Sequence, residues 1–180
     1  MTSADLPPVE PLFDARQIAE RVEELAREIA AVMPSDLLVV TVLKGGFVFA
    51  ADLIRALHRA GLNPQVDFMT LASYGAGTES SGTVKVTHDL ADDVTDRDVL
   101  LTDDILESGR TVAAARELLL SRGARTVRLC TLLEKPGKRK VRCKADFIGF
   151  TVPDRFVVGY GLDFAHYFRD LPYIGMIEKV

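Results

Sequence analysis

Residues 99–111 read VLLTDDILESGRT: an apolar run, two acids, a turn that contains glycine, and the start of a helix. The pattern predicts a buried strand over Val99–Leu101, with Asp103 and Asp104 at its end. A helix over Val112–Leu120 follows, so that Ser108–Thr111 lies at its N-terminus. The unpaired backbone N–H groups and the positive dipole end at such a terminus favour a bound phosphate.

The two adjacent acids require a different partner, because carboxylates repel a phosphate. They suit the vicinal hydroxyls of a ribose, which offer two donors side by side, or a hard cation. The strand, the acid pair and the helix start together predict a sugar-phosphate site. The alternative is a capped helix that follows a strand with solvated acids.

Composition restricts the class of protein. A chain of 180 residues that is 48% hydrophobic favours one domain, here taken as residues 1–180. The net charge of −4 argues against general nucleic-acid binding. Apolar runs such as Leu37–Leu43 are too short to span a membrane, and Met1–Pro11 is unlike a signal peptide. We therefore expect a cytoplasmic protein without nucleic-acid or membrane partners.

The order of the predicted elements indicates an α/β fold, a parallel sheet with helices on both faces. Ligands of such sheets bind at the carboxyl ends of the strands. Asp14 and Gln17 resemble a capping box at the start of a first helix. The other predicted elements are strands at Leu37–Leu43, Val66–Ala72, Thr83–Val86 and Thr126–Leu133, a helix at Phe47–Ala60, and a hairpin tip at Ser73–Gly82.

Residues 99–111 resemble the phosphoribosyl-pyrophosphate (PRPP) motif of the type I phosphoribosyltransferases. Leu43–Gly46, with the sequence LKGG, resembles the pyrophosphate loop of the hypoxanthine-guanine phosphoribosyltransferases, where a peptide bond beside this lysine is often cis. Lys144–Asp163 and Phe168–Gly175 resemble the purine-binding hood of the same family. With the hairpin, the resemblance extends from about residue 12 to the C-terminus.

The resemblance implies a type I phosphoribosyltransferase fold. This fold has a central parallel sheet flanked by helices, a flexible hairpin loop, and a small hood formed by the N-terminal segment and about residues 135–180. The implied reaction transfers the phosphoribosyl group of PRPP to hypoxanthine, and to guanine, and releases pyrophosphate. Mg²⁺ is the implied metal, and a homodimer or homotetramer the implied assembly. Two alternatives remain: a xanthine phosphoribosyltransferase and a non-catalytic PRPP-sensing regulator.

The resemblance also implies a role for individual residues. The following list gives them by group: Ser108, Gly109, Arg110 and Thr111 at the phosphate; Asp103 and Asp104 at the ribose; Lys44, Gly45 and Arg169 at pyrophosphate; Asp163 as the Mg²⁺ ligand; Lys135 at the 6-oxo group; Phe156 stacked on the purine and Val157 at its Watson–Crick edge; Ser73 and Tyr74 in the flexible loop.

Ordinary alternatives exist for several of these residues. Lys135 is otherwise a solvated lysine, Phe156 a core aromatic, Asp163 a cap of the following turn and Arg169 part of a surface ion pair. The remaining charges of the basic run are expected to be solvated or to lie in an interface; they are Lys138, Arg139, Lys140 and Arg142.

Glu107 departs from the family pattern. Members usually carry aspartate four positions after the first acid of the pair, as the acid/base group near the imidazole side of the purine. The extra methylene of glutamate moves its carboxylate by roughly 1 Å. We nevertheless assign the acid/base role to Glu107.

Overall fold

The computed structural model describes residues 6–73 and 84–178. In chain order the elements are β1 (Glu10–Phe13), α1 (Ala15–Ala30), β2 (Leu38–Leu43), α2 (Phe47–Arg59), β3 (Gln65–Ser73), β4 (Val84–His88), β5 (Asp98–Leu106), α3 (Arg110–Ser121), β6 (Thr126–Glu134), β7 (Phe147–Thr151), β8 (Phe156–Val158) and β9 (Ile174–Ile177).

The main sheet has the order β4-β3-β2-β5-β6-β7, and its strands are parallel except for β4, which pairs antiparallel with β3. Neighbouring strand residues point to opposite faces, so Val39 packs in one core with α1 and α2 while Val40 packs in a second core with α3. Apolar residues on both faces need cover on both sides. The predicted α/β class, with helices on both faces, is confirmed.

The first helix begins as its sequence predicts. The Gln17 N–H donates to the Asp14 carboxylate over 2.8 Å, and the Asp14 N–H donates to the Gln17 side chain over 2.9 Å. This reciprocal pair satisfies two of the donors that a helix start leaves unpaired.

The strand before the acid pair is longer than predicted. It runs over Asp98–Leu106, so Asp103 and Asp104 lie within it. Its pairing with β2 ends at Thr102, whereas its pairing with β6 continues to Leu106. The prediction that the strand stops before the acids was wrong because β6 extends its hydrogen bonding. The helix α3 likewise begins earlier than predicted, at Arg110.

A smaller antiparallel sheet has the order β1-β9-β8 and joins segments that are far apart in the sequence. Glu10 lies opposite Met176, which also lies opposite Val157. The sheet therefore fixes Phe156–Val158 with strands from distant parts of the sequence. Among residues 6–73 and 84–178, no helix has both the length and the apolar character of a membrane span.

Candidate active site

Two adjoining cavities open where β2, β5 and β6 end. The first has a volume of about 350 Å³ and is lined by the β2–α2 and β5–α3 connections, including Lys44, Gly45, Ser108, Gly109 and Thr111. The second, of about 510 Å³, is lined by residues that include Lys135, Phe156, Val157 and Asp163. Asp104, Ile105 and Glu107 line both cavities. The structure therefore brings the predicted sugar-phosphate residues and the predicted base residues to one place.

The two acids of β5 are held by short backbone contacts at the boundary between the cavities. The Asp104 N–H donates to the Asp103 carboxylate over 3.0 Å, and the Ile105 N–H donates to the Asp104 carboxylate over 2.8 Å. Asp103 is only 7% exposed, and burial raises its pKa well above the usual value. Burial also raises the pKa of Asp104, although the positive charge of Arg169 acts in the opposite direction. A ligand that donates hydrogen bonds to this pair would replace the water that burial has removed.

The β2–α2 connection passes very close to Asp104. Its Leu43–Lys44 peptide bond is cis, in agreement with the family resemblance. A Cβ atom on Gly45 would lie 1.5 Å from Oδ2 of Asp104, and a Cβ atom on Gly161 would lie 2.3 Å from the Gly45 carbonyl oxygen. The backbone at Gly45 therefore fits beside Asp104 because Gly45 has no side chain, and beside residue 161 because Gly161 has none.

The β5–α3 connection presents the start of a helix to the first cavity. Gly109 has a φ of +78°, a left-handed conformation that glycine adopts without strain, and α3 begins at Arg110. The Arg110 N–H donates to the Ser108 hydroxyl over 3.3 Å, and Thr111 lies in the first helical turn. No acidic residue occupies that turn, so its positive dipole end is not neutralised from within the helix.

Lys135 is buried in the second cavity, with only 6% of its surface exposed. Its Nζ lies 3.5 Å from Oε1 of Glu107, whose side chain is 46% exposed. The alternative of a solvated lysine is therefore wrong. A buried ammonium needs acceptors, and Glu107 supplies one while leaving the rest of the ammonium toward the cavity.

Phe156 has the opposite pattern, because 39% of this large apolar side chain is exposed. Its ring lines the second cavity and meets Phe164 edge to face, with 5.8 Å between the ring centroids. The alternative of a core aromatic is therefore wrong. Its neighbour Val157 is buried within β8, where its backbone is fixed by pairing with β9.

Asp163 and Arg169 form an ion pair of 2.6 Å. Arg169 also donates to the Gly161 carbonyl oxygen over 2.6 Å, and the second oxygen of Asp163 accepts the His166 N–H over 2.8 Å. Asp163 thus caps the following turn and Arg169 lies in an ion pair, as the ordinary alternatives state. Asp163 lines the second cavity, whereas Arg169 lines a separate cavity between α1 and α2. Arg169 is nevertheless near enough to Asp104 to influence its pKa.

The carboxylate of Asp163 fits the binding of Mg²⁺ together with a substrate. In the part of the chain that the structure describes, no cluster of three or more histidine, cysteine or acidic side chains is arranged to hold a metal ion. Mg²⁺ keeps several waters and is commonly held by one or two carboxylates plus substrate phosphates. Asp163 retains unused lone pairs on a cavity wall and meets that requirement.

Comparison with known proteins agrees with this arrangement. A family model described as "Phosphoribosyl transferase domain" matches residues 8–165. The chain is 42% identical to the hypoxanthine phosphoribosyltransferase of Escherichia coli K12, with 94% of this chain and 95% of that protein covered. It is 44% identical to the hypoxanthine-guanine phosphoribosyltransferase of Aquifex aeolicus, with 93% of each covered.

Solved structures give the same result. The hypoxanthine phosphoribosyltransferase of Staphylococcus aureus matches with a TM-score of 0.88 and 39% identity over 94% of this chain and 91% of that one. The hypoxanthine-guanine phosphoribosyltransferase of Bacillus anthracis matches with a TM-score of 0.87 and 38% identity over 93% of this chain and 98% of that one.

The chain belongs to the hypoxanthine(-guanine) phosphoribosyltransferase family. A further solved structure matches with a TM-score of 0.88 and 32% identity over 96% of each chain. It is described as the glutamic acid mutant from an analysis of an invariant aspartic acid in HPRTs.

The sequence did not predict the contacts that Arg139 makes. The side chain was expected to be solvated or to lie in an interface, but it donates to the carbonyl oxygens of Leu106 and Glu107 over 2.6 and 2.5 Å. Lys138, from the same basic run, pairs with Asp154 at 2.7 Å beside the second cavity. The sequence contains no signal that separates these residues from their basic neighbours.

Tyr160 is a second residue that the sequence did not single out. Its hydroxyl donates to the carboxylate of Asp52 on α2, and burial raises its pKa. The contact ties the Gly159–Gly161 segment to α2.

The predicted flexible loop is described only in part. Ser73 is the last residue of β3, and β4 begins at Val84, so the two predicted strands of the hairpin pair as expected. Tyr74 and the rest of the predicted tip lie outside the described residues.

Proposed function

We propose that this chain transfers the 5-phosphoribosyl group of PRPP to hypoxanthine, and to guanine, and forms IMP or GMP with release of pyrophosphate. The reaction belongs to purine salvage. The observation that carries the proposal is a buried ammonium, Lys135, beside the exposed ring of Phe156, in a cavity that adjoins the buried acids Asp103 and Asp104.

The second cavity supplies selectivity for the base. The ring of Phe156 stacks on any purine, so the selectivity comes from polar contacts. An ammonium has donors only, so Lys135 donates to a 6-oxo group and disfavours an exocyclic amine, which is itself a donor. The Val157 backbone meets the Watson–Crick edge. The small sheet β1-β9-β8, which carries Phe156 and Val157, is the hood of a single-domain protein.

The first cavity supplies the sugar-phosphate contacts. Asp103 and Asp104 accept hydrogen bonds from the ribose hydroxyls, and their negative charge offsets the positive charge that develops on the sugar. The 5′-phosphate is surrounded by backbone N–H groups of Ser108, Gly109, Arg110 and Thr111 and by the hydroxyls of Ser108 and Thr111. In this arrangement C1 of the ribose lies at the boundary that Asp104 and Glu107 share.

The base nitrogen displaces pyrophosphate from C1 through an oxocarbenium-like state, as in glycoside chemistry. Lys44, the backbone at Gly45 and Arg169 stabilise the charge that builds on the leaving group. Asp163 would hold Mg²⁺, which would supply positive charge to neutralise the phosphates of the leaving group. Glu107 removes the proton from the imidazole side of the purine, and Lys135, whose Nζ lies 3.5 Å from Oε1 of Glu107, orients its carboxylate.

A substrate panel tests the proposal. Hypoxanthine, guanine, xanthine and adenine are each incubated with the protein, PRPP and Mg²⁺, and nucleotide and pyrophosphate are quantified. We expect rapid turnover of hypoxanthine, turnover of guanine and poor turnover of adenine. Preferential turnover of xanthine would favour the alternative substrate. PRPP binding without nucleotide from any 6-oxopurine would favour the regulator.

The assembly and the location are further parts of the proposal. We expect a homodimer or homotetramer in the cytoplasm, and sedimentation of the purified protein measures the assembly.

A further inference from the structure

Arg139 lies in the connection after β6, and its guanidinium contacts both segments that carry the base-side chemistry. One guanidinium nitrogen donates to the carbonyl oxygens of Leu106 and Glu107 over 2.6 and 2.5 Å. The same nitrogen lies 3.3 Å from the carbonyl oxygen of Lys135. Arg139 therefore bonds to the backbone at Glu107 and at Lys135, whose side chains meet in the second cavity.

The guanidinium is itself held in place. Its other terminal nitrogen donates to the carboxylate of Glu134 over 2.6 Å, and its Nε lies 3.4 Å from the carbonyl oxygen of Cys143. The side chain is 21% exposed. A planar guanidinium with five donors in a fixed geometry can bridge several acceptors at once, which an ammonium cannot do with the same geometry.

The contacts meet a general requirement of an anion-binding turn. When the backbone N–H groups of a turn face a ligand, its carbonyl groups face away and need donors of their own. Arg139 supplies donors to Leu106 and Glu107, and the Lys140 N–H supplies one to Ser108 over 2.9 Å. The Arg139 segment thus supplies donors to the carbonyl groups of the β5–α3 connection.

We propose that Arg139 is a positioning residue that sets the separation and orientation of Glu107 and Lys135. The inference rests on the acid/base and base-reading roles proposed for those two residues. The Lys135 N–H donates to the Leu106 carbonyl oxygen over 3.1 Å, so the two segments remain paired without the guanidinium. The Glu107 carbonyl oxygen nevertheless loses its Arg139 donor, and the carboxylate and ammonium move relative to the purine. A displacement of about 1 Å at a reacting group can cost 10²-fold in rate.

The first test compares Arg139→Ala, Arg139→Lys and Arg142→Ala. Arg142 is a matched control because it is an exposed arginine of the same connection. We expect Arg139→Ala to lower kcat with hypoxanthine by about 10²-fold and to shift the pH profile of kcat/KM. Added guanidinium ion, well below denaturing concentration, should restore part of kcat, whereas methylammonium should not. Arg139→Lys should keep the fold but remain slow, and Arg142→Ala should match the wild type.

A milder variant covers the case in which Arg139→Ala does not fold. Glu134→Gln keeps the arginine and weakens its anchor, so it should shift the pH profile in the same direction with a smaller loss of kcat. Full activity of Arg139→Ala, or full recovery by Arg139→Lys, would overturn the inference, as would an unshifted pH profile in a folded Glu134→Gln. The wild type is assayed in parallel: if it forms no nucleotide from any 6-oxopurine, the proposed function has failed rather than the role of Arg139.

Discussion

Replacing Gly45 with alanine should displace Asp104 and slow the reaction. The added Cβ would lie 1.5 Å from Oδ2 of Asp104, whereas real Cβ contacts are essentially never shorter than 3.0 Å. The carboxylate must therefore move by about 1.5 Å. Since a 1 Å misplacement can cost 10²-fold, we expect kcat/KM for PRPP to fall by about 10²-fold or more, equivalent to about 2.7 kcal/mol.

Initial rates with varied PRPP at saturating hypoxanthine measure this effect, and Gly61→Ala is the control. Gly61 has a φ of +91°, and among the described residues other than its chain neighbours no atom lies within 4 Å of an added Cβ. Alanine there therefore costs about 1 kcal/mol of backbone strain without touching the site. Gly61→Ala should lower Tm and keep kcat/KM.

A double variant tests the cause. In Gly45→Ala combined with Asp104→Ala, the carboxylate that blocks the Cβ is absent, so the pair should be no slower than Asp104→Ala alone. Additive losses, or near-normal kcat/KM in Gly45→Ala, would refute the displacement of Asp104.

Three further outcomes are expected. Glu107→Gln should lower turnover by about 10²-fold or more in single-turnover measurements while PRPP binding barely changes. The substitution removes the proton acceptor but keeps the size of the side chain. Near-normal turnover would remove Glu107 from the mechanism. Asp104→Ala should lower turnover and PRPP affinity together with less effect on base affinity, and equal losses for free purine and PRPP would show that the acid pair is misplaced. Burial raises the pKa of Asp103. Between the ordinary aspartate pKa and the raised one, the folded state therefore binds more protons than the unfolded state. The free energy of unfolding should fall as pH rises through that range. Asp103→Asn should remove this contribution and slow the reaction; urea unfolding as a function of pH checks it, and an identical pH dependence in both proteins would contradict it.

The parts of the fold that follow from local pattern could be predicted from sequence. The capping pair at Asp14 and the apolar run predicted as a strand at Leu37–Leu43 are local features. The pair is present, and the strand runs over Leu38–Leu43. The end of β5 at Leu106 could not be predicted, because the last residues of this strand are held by β6 and carry no periodic signal of their own.

The candidate site likewise contains residues that could be predicted from the sequence and residues that could not. Lys135 and Phe156 were expected at one site from the family resemblance, and they line one cavity; their roles remain predictions. Arg139 could not be distinguished from Arg142, because both belong to one basic run. The difference between them depends on which carbonyl groups the folded connections turn toward each side chain.

The small sheet has a consequence for the order of folding. Its strands β1 and β9 pair Glu10 with Met176, so this contact closes a loop that contains nearly the whole chain. The entropy lost on closing so long a loop opposes the contact until much of the chain is already ordered. The main sheet, built from strands closer in sequence, has no such requirement. We expect the small sheet to form last and open first, taking Phe156 with it. During gradual heating, the affinity for the purine should therefore disappear before the affinity for PRPP.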